Sequence, residues 1–188
     1  MARPILLLSD MVSGAALADM IEVADPGREV AVITSREALD AVFRDASAER
    51  PLEARLVGFF TGVLVPRRYL AALRGVPVNF HPGTPDYPGK HSLAFALHDR
   101  APEFGVTAHV MVPKVDAGPI VAVSRFTVPD GSPEAWLRYR TFRSGFALFR
   151  RLLPGLLGPD DLPVLPDAGW GDRDCSESAF QRLQASAG

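Results

Sequence analysis

The sequence predicts an α/β fold: a doubly wound, mostly parallel sheet with an antiparallel pair of strands near its C-terminal part. Three observations carry this. From Ile5 to Phe80, short continuous apolar runs alternate with helical patterns, as in sheets buried on both faces by helices. Two later segments alternate polar and apolar residues, as half-exposed strands do. Only residues 113–118 separate those two segments, too few for a crossover helix, so they pair antiparallel.

The elements follow in order. ILLLS (Ile5–Ser9) is a strand buried on both faces, and VSGAALADMIEVA turns at once to helical spacing through Ala16, Leu17, Met20 and Ile21. REVAVITS (Arg28–Ser35) and REALDAVFRDA (Arg36–Ala46) repeat the strand and helix. EARLVGFFTG (Glu53–Gly62) is the third strand. VPRRYLAALRG is a helix with Pro66 near its first turn and Gly75 past its end. VPVNF (Val76–Phe80) is the fourth strand and HSLAFALHD a helix. GVTAHVMV (Gly105–Val112) and PIVAVSRFTV (Pro119–Val128) form the antiparallel pair. SPEAWLRYRTFRSGFALFRRLL (Ser132–Leu153) is a long, basic-faced helix entered through Ser132 and Pro133. Beyond Pro154 lies a Pro/Gly/Asp-rich segment and a short helical end, SAFQRLQA. We divide the chain into a sheet domain, residues 1–153, and a C-terminal extension, residues 154–188.

Composition narrows the function classes. A hydrophobic content of 47%, a charged content of 22% and a net charge of -2 suit a soluble globular protein with a sizeable core. They give no push toward nucleic acid or an anionic membrane. One cysteine, Cys175, leaves no internal disulfide and no Cys-rich metal site. PILLLS runs into Asp10, far short of a membrane span, so a cytoplasmic location and no membrane partner are expected.

The chemical candidates concentrate in VNFHPGTPDYPG, Val78–Gly89. Asn79 and His81 lie two residues apart at a strand end, so both point the same way. In open α/β sheets ligands bind beyond the carboxyl ends of strands. Two converging hydrogen-bond donors suit a developing oxyanion. Pro82, Pro85 and Pro88 stiffen the following loop and keep the pair aimed. Asp116, in KVDAGPI, supplies a carboxylate to hold the histidine and accept a proton, with Gly118 permitting close backbone approach. Read alone, Asp-Ala-Gly is more often a plain hairpin turn. His91 and His98 bracket a helix without a third ligand and read as surface or capping residues. His109, read alone, is more often a satisfied structural histidine. The Ser9–Asp10 loop could meet an anion at a helix start, but it has neither the dinucleotide nor the P-loop glycine pattern. A nicotinamide enzyme is therefore disfavoured.

The combination Asn79-Phe80-His81-Pro82, Tyr87-Pro88-Gly89, Gly105-Val106-Thr107-Ala108-His109 and Asp116-Ala117-Gly118-Pro119-Ile120 resembles the catalytic domain of folate-dependent formyltransferases. That family includes glycinamide ribonucleotide transformylase, methionyl-tRNA formyltransferase and the sugar-nucleotide N-formyltransferases. The resemblance implies that residues 1–153 form a catalytic domain. It implies 10-formyltetrahydrofolate as donor, a small-molecule amine, amino sugar nucleotide or hydroxylamine as acceptor, and no metal. It further implies that Asn79 and a protonated His81 stabilise the oxyanion, while Asp116 keeps His81 charged and takes the attacking nitrogen's proton. By the same resemblance, Thr61, Gly62, Val63, Leu64, Val115 and Ala117 form the pterin pocket. Ser9, Asp10, Gly83, Thr107 and His109 then fall to the acceptor side.

Departures from the pattern limit the acceptor. HPGTP lacks the serine of HPS-x-LP, and the first loop lacks the glycine-rich sequence of the purine enzyme. Residues 129–188 are too few for the barrel domain of the tRNA enzyme, and the modest charge argues against tRNA. A specialised biosynthetic acceptor is expected. A formyltetrahydrofolate hydrolase and a non-catalytic folate- or nucleotide-binding module are the alternatives. AGWGDRDCSESAFQRL reads equally as a capping tail or a homodimer contact.

Overall fold

A computed structural model describes residues 3–186. The first half alternates β1 (Ile5–Leu8), α1 (Met11–Ala24), β2 (Val30–Ile33), α2 (Arg36–Val42), β3 (Arg55–Phe59), α3 (Arg67–Ala71) and β4 (Val78–His81). The second half holds α4 (Ser92–His98), β5 (Glu103–Val110), β6 (Ile120–Thr127), α5 (Glu134–Leu157) and α6 (Glu177–Ser186). One six-stranded sheet has the order β2-β1-β3-β4-β5-β6. β1 to β4 run parallel, while β5 and β6 enter antiparallel. The predicted mixed sheet is present.

The β5–β6 pairing follows the sequence expectation; the antiparallel junction of β4 with β5 goes beyond it. After β4 the chain turns through residues 82–91 and the seven-residue α4, a helix only about 10 Å long. It re-enters the sheet at the end where β4 stopped. Asn79 then lies opposite His109, and His81 opposite Thr107.

The two faces of the sheet are packed differently. Ile5, Leu7, Val57, Phe59, Val78 and Phe80 point to one face, against Leu17 and Ile21 of α1 and Leu148 and Phe149 of α5. Leu6, Leu8 and Leu56 point to the other, against Leu39 of α2 and Tyr69 of α3. Because side chains alternate along a strand, Asn79 and His81 share this second face, beyond the area that α2 and α3 cover.

One detail departs from the sequence reading. α5 continues through Pro154 to Leu157 instead of ending at Leu153. Proline costs this turn one backbone hydrogen bond, but arginines satisfy its terminal carbonyls. Arg55 Nη1 donates to the Gly155 and Leu156 carbonyls at 2.8 and 2.7 Å, and Arg28 Nη2 to Leu157 at 3.0 Å. Positive charge at a helix C-terminus is stabilising. Arg55, the first residue of β3, is thereby one of the most deeply buried side chains in the protein.

Candidate active site

Asp116 is the hub of the site. Its Oδ2 lies 3.2 Å from His81 Nδ1 and accepts the Gly89 N–H at 2.8 Å; its Oδ1 lies 3.2 Å from His109 Nε2. The Asn79 amide nitrogen is 3.1 Å from the same His109 nitrogen. Three separate stretches, at residues 79–81, 107–109 and 116, thus converge. His109 Nδ1 faces the Val110 carbonyl at 2.9 Å. Asp116 adopts a left-handed backbone, φ 44°, a region rarely used by residues other than glycine and more often by Asp and Asn. Gly118, two residues on, is required as glycine: a Cβ there would collide with the Val110 carbonyl.

His81 lies deep in the site. Burial pushes its imidazole below the ordinary histidine range, and the opposing pull of the Asp116 charge and the Tyr87 carbonyl does not outweigh it. Burial thus works against the charged ring that was expected. Yet both ring nitrogens meet acceptors, Nδ1 at Asp116 and Nε2 at the Tyr87 carbonyl, 2.9 Å away. A neutral ring satisfies one of these contacts; a proton arriving on it would satisfy both. For Asp116, burial alone raises the carboxyl, but the His109 hydrogen bond, the two imidazoles and the Gly89 N–H win and hold it below its usual value.

The remaining predicted residues divide by position. Gly83 sits where any Cβ would lie 2.5 Å from His81 Nε2, so its bare backbone makes room for the ring. Thr107 is fully buried, and its hydroxyl donates to the Gly83 carbonyl at 2.8 Å, fixing the loop from below. Ser9 donates to the Phe59 carbonyl at 2.9 Å and stitches β1 to β3. Asp10 caps α1 through the Ser13 N–H at 2.9 Å. The hydrogen bonds of Ser9 and Asp10 thus run away from the Asp116 hub. Thr61 accepts the Val63 N–H at 3.1 Å, shaping the loop after β3. Gly62 and Ala117 are exposed and Val63 half-buried. Leu64 and Val115 hold large apolar side chains in solvent, 63% and 54% exposed. Among the described residues, no group of three or more His, Cys, Asp or Glu is arranged to hold a metal ion.

Within the AGWGDRDCSESAFQRL tail, sequence reasoning did not single out the tryptophan. Trp170, in the segment between α5 and α6, lies against both imidazoles. Its ring centre is 5.0 Å from that of His109 and 5.7 Å from that of His81, at 89° and 70°. Its Nε1 donates to the Gly118 carbonyl at 2.8 Å. The segment is fastened on either side. Leu165 N–H donates to the Ile120 carbonyl at 2.7 Å, Gly171 N–H to Pro85 at 2.9 Å, and the Cys175 carbonyl accepts from His91 N–H at 3.0 Å. His91 also stacks on Phe180 of α6, ring centres 4.1 Å apart, so the expected capping histidine joins the tail to the loop. A tryptophan flanked by glycines has no period to announce it, and only its rarity could have marked it.

Known proteins share sequence and fold with this chain. A curated phosphoribosylglycinamide formyltransferase of Mycobacterium tuberculosis is 33% identical over 107 residues, 56% of this chain and 49% of that one. The chain therefore spans about half the length of the curated relatives it matches. Among solved structures, the formyltransferase PseJ from Anoxybacillus kamchatkensis, in complex with UDP-4,6-dideoxy-4-formamido-L-AltNAc and tetrahydrofolate, superposes with a TM-score of 0.73 at 16% identity. The superposition covers 97% of this chain and 90% of that one. A 4-N formyltransferase from Francisella tularensis gives 0.73 at 16% identity, covering 96% and 79%. These structures share the fold. The formyl transferase family model matches residues 11–145, well over half of the sequence and the whole span from α1 through the Asp116 turn, and the chain belongs to that family.

Proposed function

We propose that this chain transfers a formyl group from 10-formyltetrahydrofolate to a nitrogen of a small-molecule acceptor. The observation that carries the reading is the Asp116 carboxylate, 3.2 Å from both His81 and His109, with the Asn79 amide on the same His109 nitrogen. The acceptor nitrogen adds to the formyl carbon, whose oxygen takes up negative charge. The bond from that carbon to folate N10 then breaks, and N10 leaves with a proton. Asn79 and a His81 N–H are the donors for the oxyanion. Asp116, ionised and next to His81, receives the acceptor's proton directly or through water. Burial lowers the proton affinity of His81, and a charged ring would be held by Asp116 and the Tyr87 carbonyl, one at each nitrogen.

The exposed Leu64 and Val115, with Thr61, Gly62, Val63 and Ala117, supply apolar cover and backbone groups for the pterin. The tetrahydrofolate in the PseJ complex supports a folate donor, and the formamido sugar nucleotide bound with it supports an amino sugar nucleotide, a related amine or a hydroxylamine as acceptor. The test is incubation with 10-formyltetrahydrofolate and a panel of such amines, followed by mass spectrometry. A gain of one formyl group, lost in Asp116→Asn, is expected. Absence of donor binding in calorimetry would overturn the reading; formate release in every reaction, with no acceptor gaining mass, would make the protein a hydrolase.

A further inference from the structure

Formyl transfer faces a competitor. Water can add to the formyl carbon, the bond to N10 then breaks with N10 taking the proton, and formate leaves. Donors and a carboxylate that assist an amine assist water equally, so selection for the acceptor requires water to be excluded. The burial of the site is therefore informative. His81, His109 and Asp116 are 3%, 3% and 7% exposed, although they sit on the sheet face that α2 and α3 leave uncovered. An indole lies on the two rings, and it comes from beyond the matched family region.

We propose that Trp170 is a positioning residue of the site and its shield against water, directing the formyl group to the acceptor nitrogen. The proposal rests on the formyl-transfer reading above. Two observations support the double role. The indole edge or face covers both imidazoles at once. Its N–H holds the Gly118 carbonyl, steadying a turn whose Asp116 occupies a costly backbone region. The segment's tie to Pro85 also holds the loop whose Tyr87 carbonyl occupies His81 Nε2. Entry of the acceptor then displaces the indole from a site that water does not reach unaided.

The test has two arms. In the first, diethyl pyrocarbonate modifies histidines and peptide mass spectrometry locates them. In the wild type, exposed His98 reacts fastest, while His81 and His109 are protected. Trp170→Ala raises the rate at His81 and His109 several-fold and leaves His98 unchanged. Trp170→Phe, which keeps a ring there without the N–H, restores most of the protection. In the second arm, Trp170→Ala with 10-formyltetrahydrofolate and no amine releases formate several-fold faster than the wild type, with donor binding in calorimetry unchanged. Should Trp170→Ala fail to fold, Trp170→Leu, too small to span both rings, carries the same two measurements. Equal modification of His81 and His109 in wild type and variant overturns the shield, as does unchanged formate release by a variant that binds the donor. A wild type that binds no donor would instead sink the formyl-transfer reading, and the modification arm alone would then decide the shield.

Discussion

β3 and β4 lie side by side in the sheet, yet they are built on opposite rules. β3 is buried along its whole length, and its two faces are pressed by helices. β4 keeps that rule on one face, through Val78 and Phe80, and abandons it on the other, through Asn79 and His81. The difference lies in what covers the second face. Along their lengths helices offer side chains and hide their own polar backbone, so β3 beyond Arg55 answers with apolar groups. Over β4 the cover is the loop of residues 82–91, the Asp116 turn and the Trp170 segment. These supply a carbonyl, an N–H and a carboxylate, so polar side chains are buried there with partners. Irregular chain makes the site possible where a helix would have forbidden it.

The comparison can be broken one residue at a time. Phe80 and Asn79 are neighbours on β4 with opposite duties. Phe80→Ala should cost about 3–5 kcal/mol of stability, read by urea denaturation. Asn79→Ala should leave the denaturation midpoint nearly in place and lower the rate of formyl transfer about 10²–10³-fold. If Asn79→Ala instead unfolds the protein with its rate intact, the two faces have been misassigned. Arg55→Ala, at the start of β3, strips the α5 terminus of its donors and should cost about 3 kcal/mol. The exposed Arg74, 3.4 Å from Glu53, is the control; Arg74→Ala should change stability by less than about 1 kcal/mol.

Acidity should act on the β4 face through the two groups whose folded values are lowered. An unfolded histidine gains its proton near 6.5, while folded His81 resists it. The unfolded chain then binds more protons, and stability falls as pH drops below 6.5. Asp116 contributes stability above 3.8 that is lost as pH falls through its lower folded value. Denaturation midpoints across this range should decline in both windows, and His81→Gln should flatten the first. A midpoint that rises on acidification through 6.5 would show His81 charged at rest.

Much of the fold was legible because short apolar strands and helices leave a period. The shared direction of Asn79 and His81 followed from their two-residue spacing, and the Asp116 turn from its motif. His109 was harder. Its pairing with Asn79 depends on β4 and β5 being antiparallel, and residues 82–102 do not announce a reversal in their sequence. The opposition of burial to a charged His81 was not legible either, since the charge of Asp116 is visible in a sequence and depth of burial is not. Nothing near Arg55 in the sequence marks it for burial; the bare carbonyls it meets come from α5, a hundred positions later.

The chain's single thiol gives the closing of this site a clock. Cys175 is buried beside Phe95 and Ala179, next to the hydrogen bond that joins the tail to His91. Burial pushes its thiol up to about 12, so at neutral pH it is silent while the tail is seated. Alkylation of Cys175 then counts excursions of that tail. Ligands that draw the segment down would slow the count, and ligands that need it lifted would quicken it.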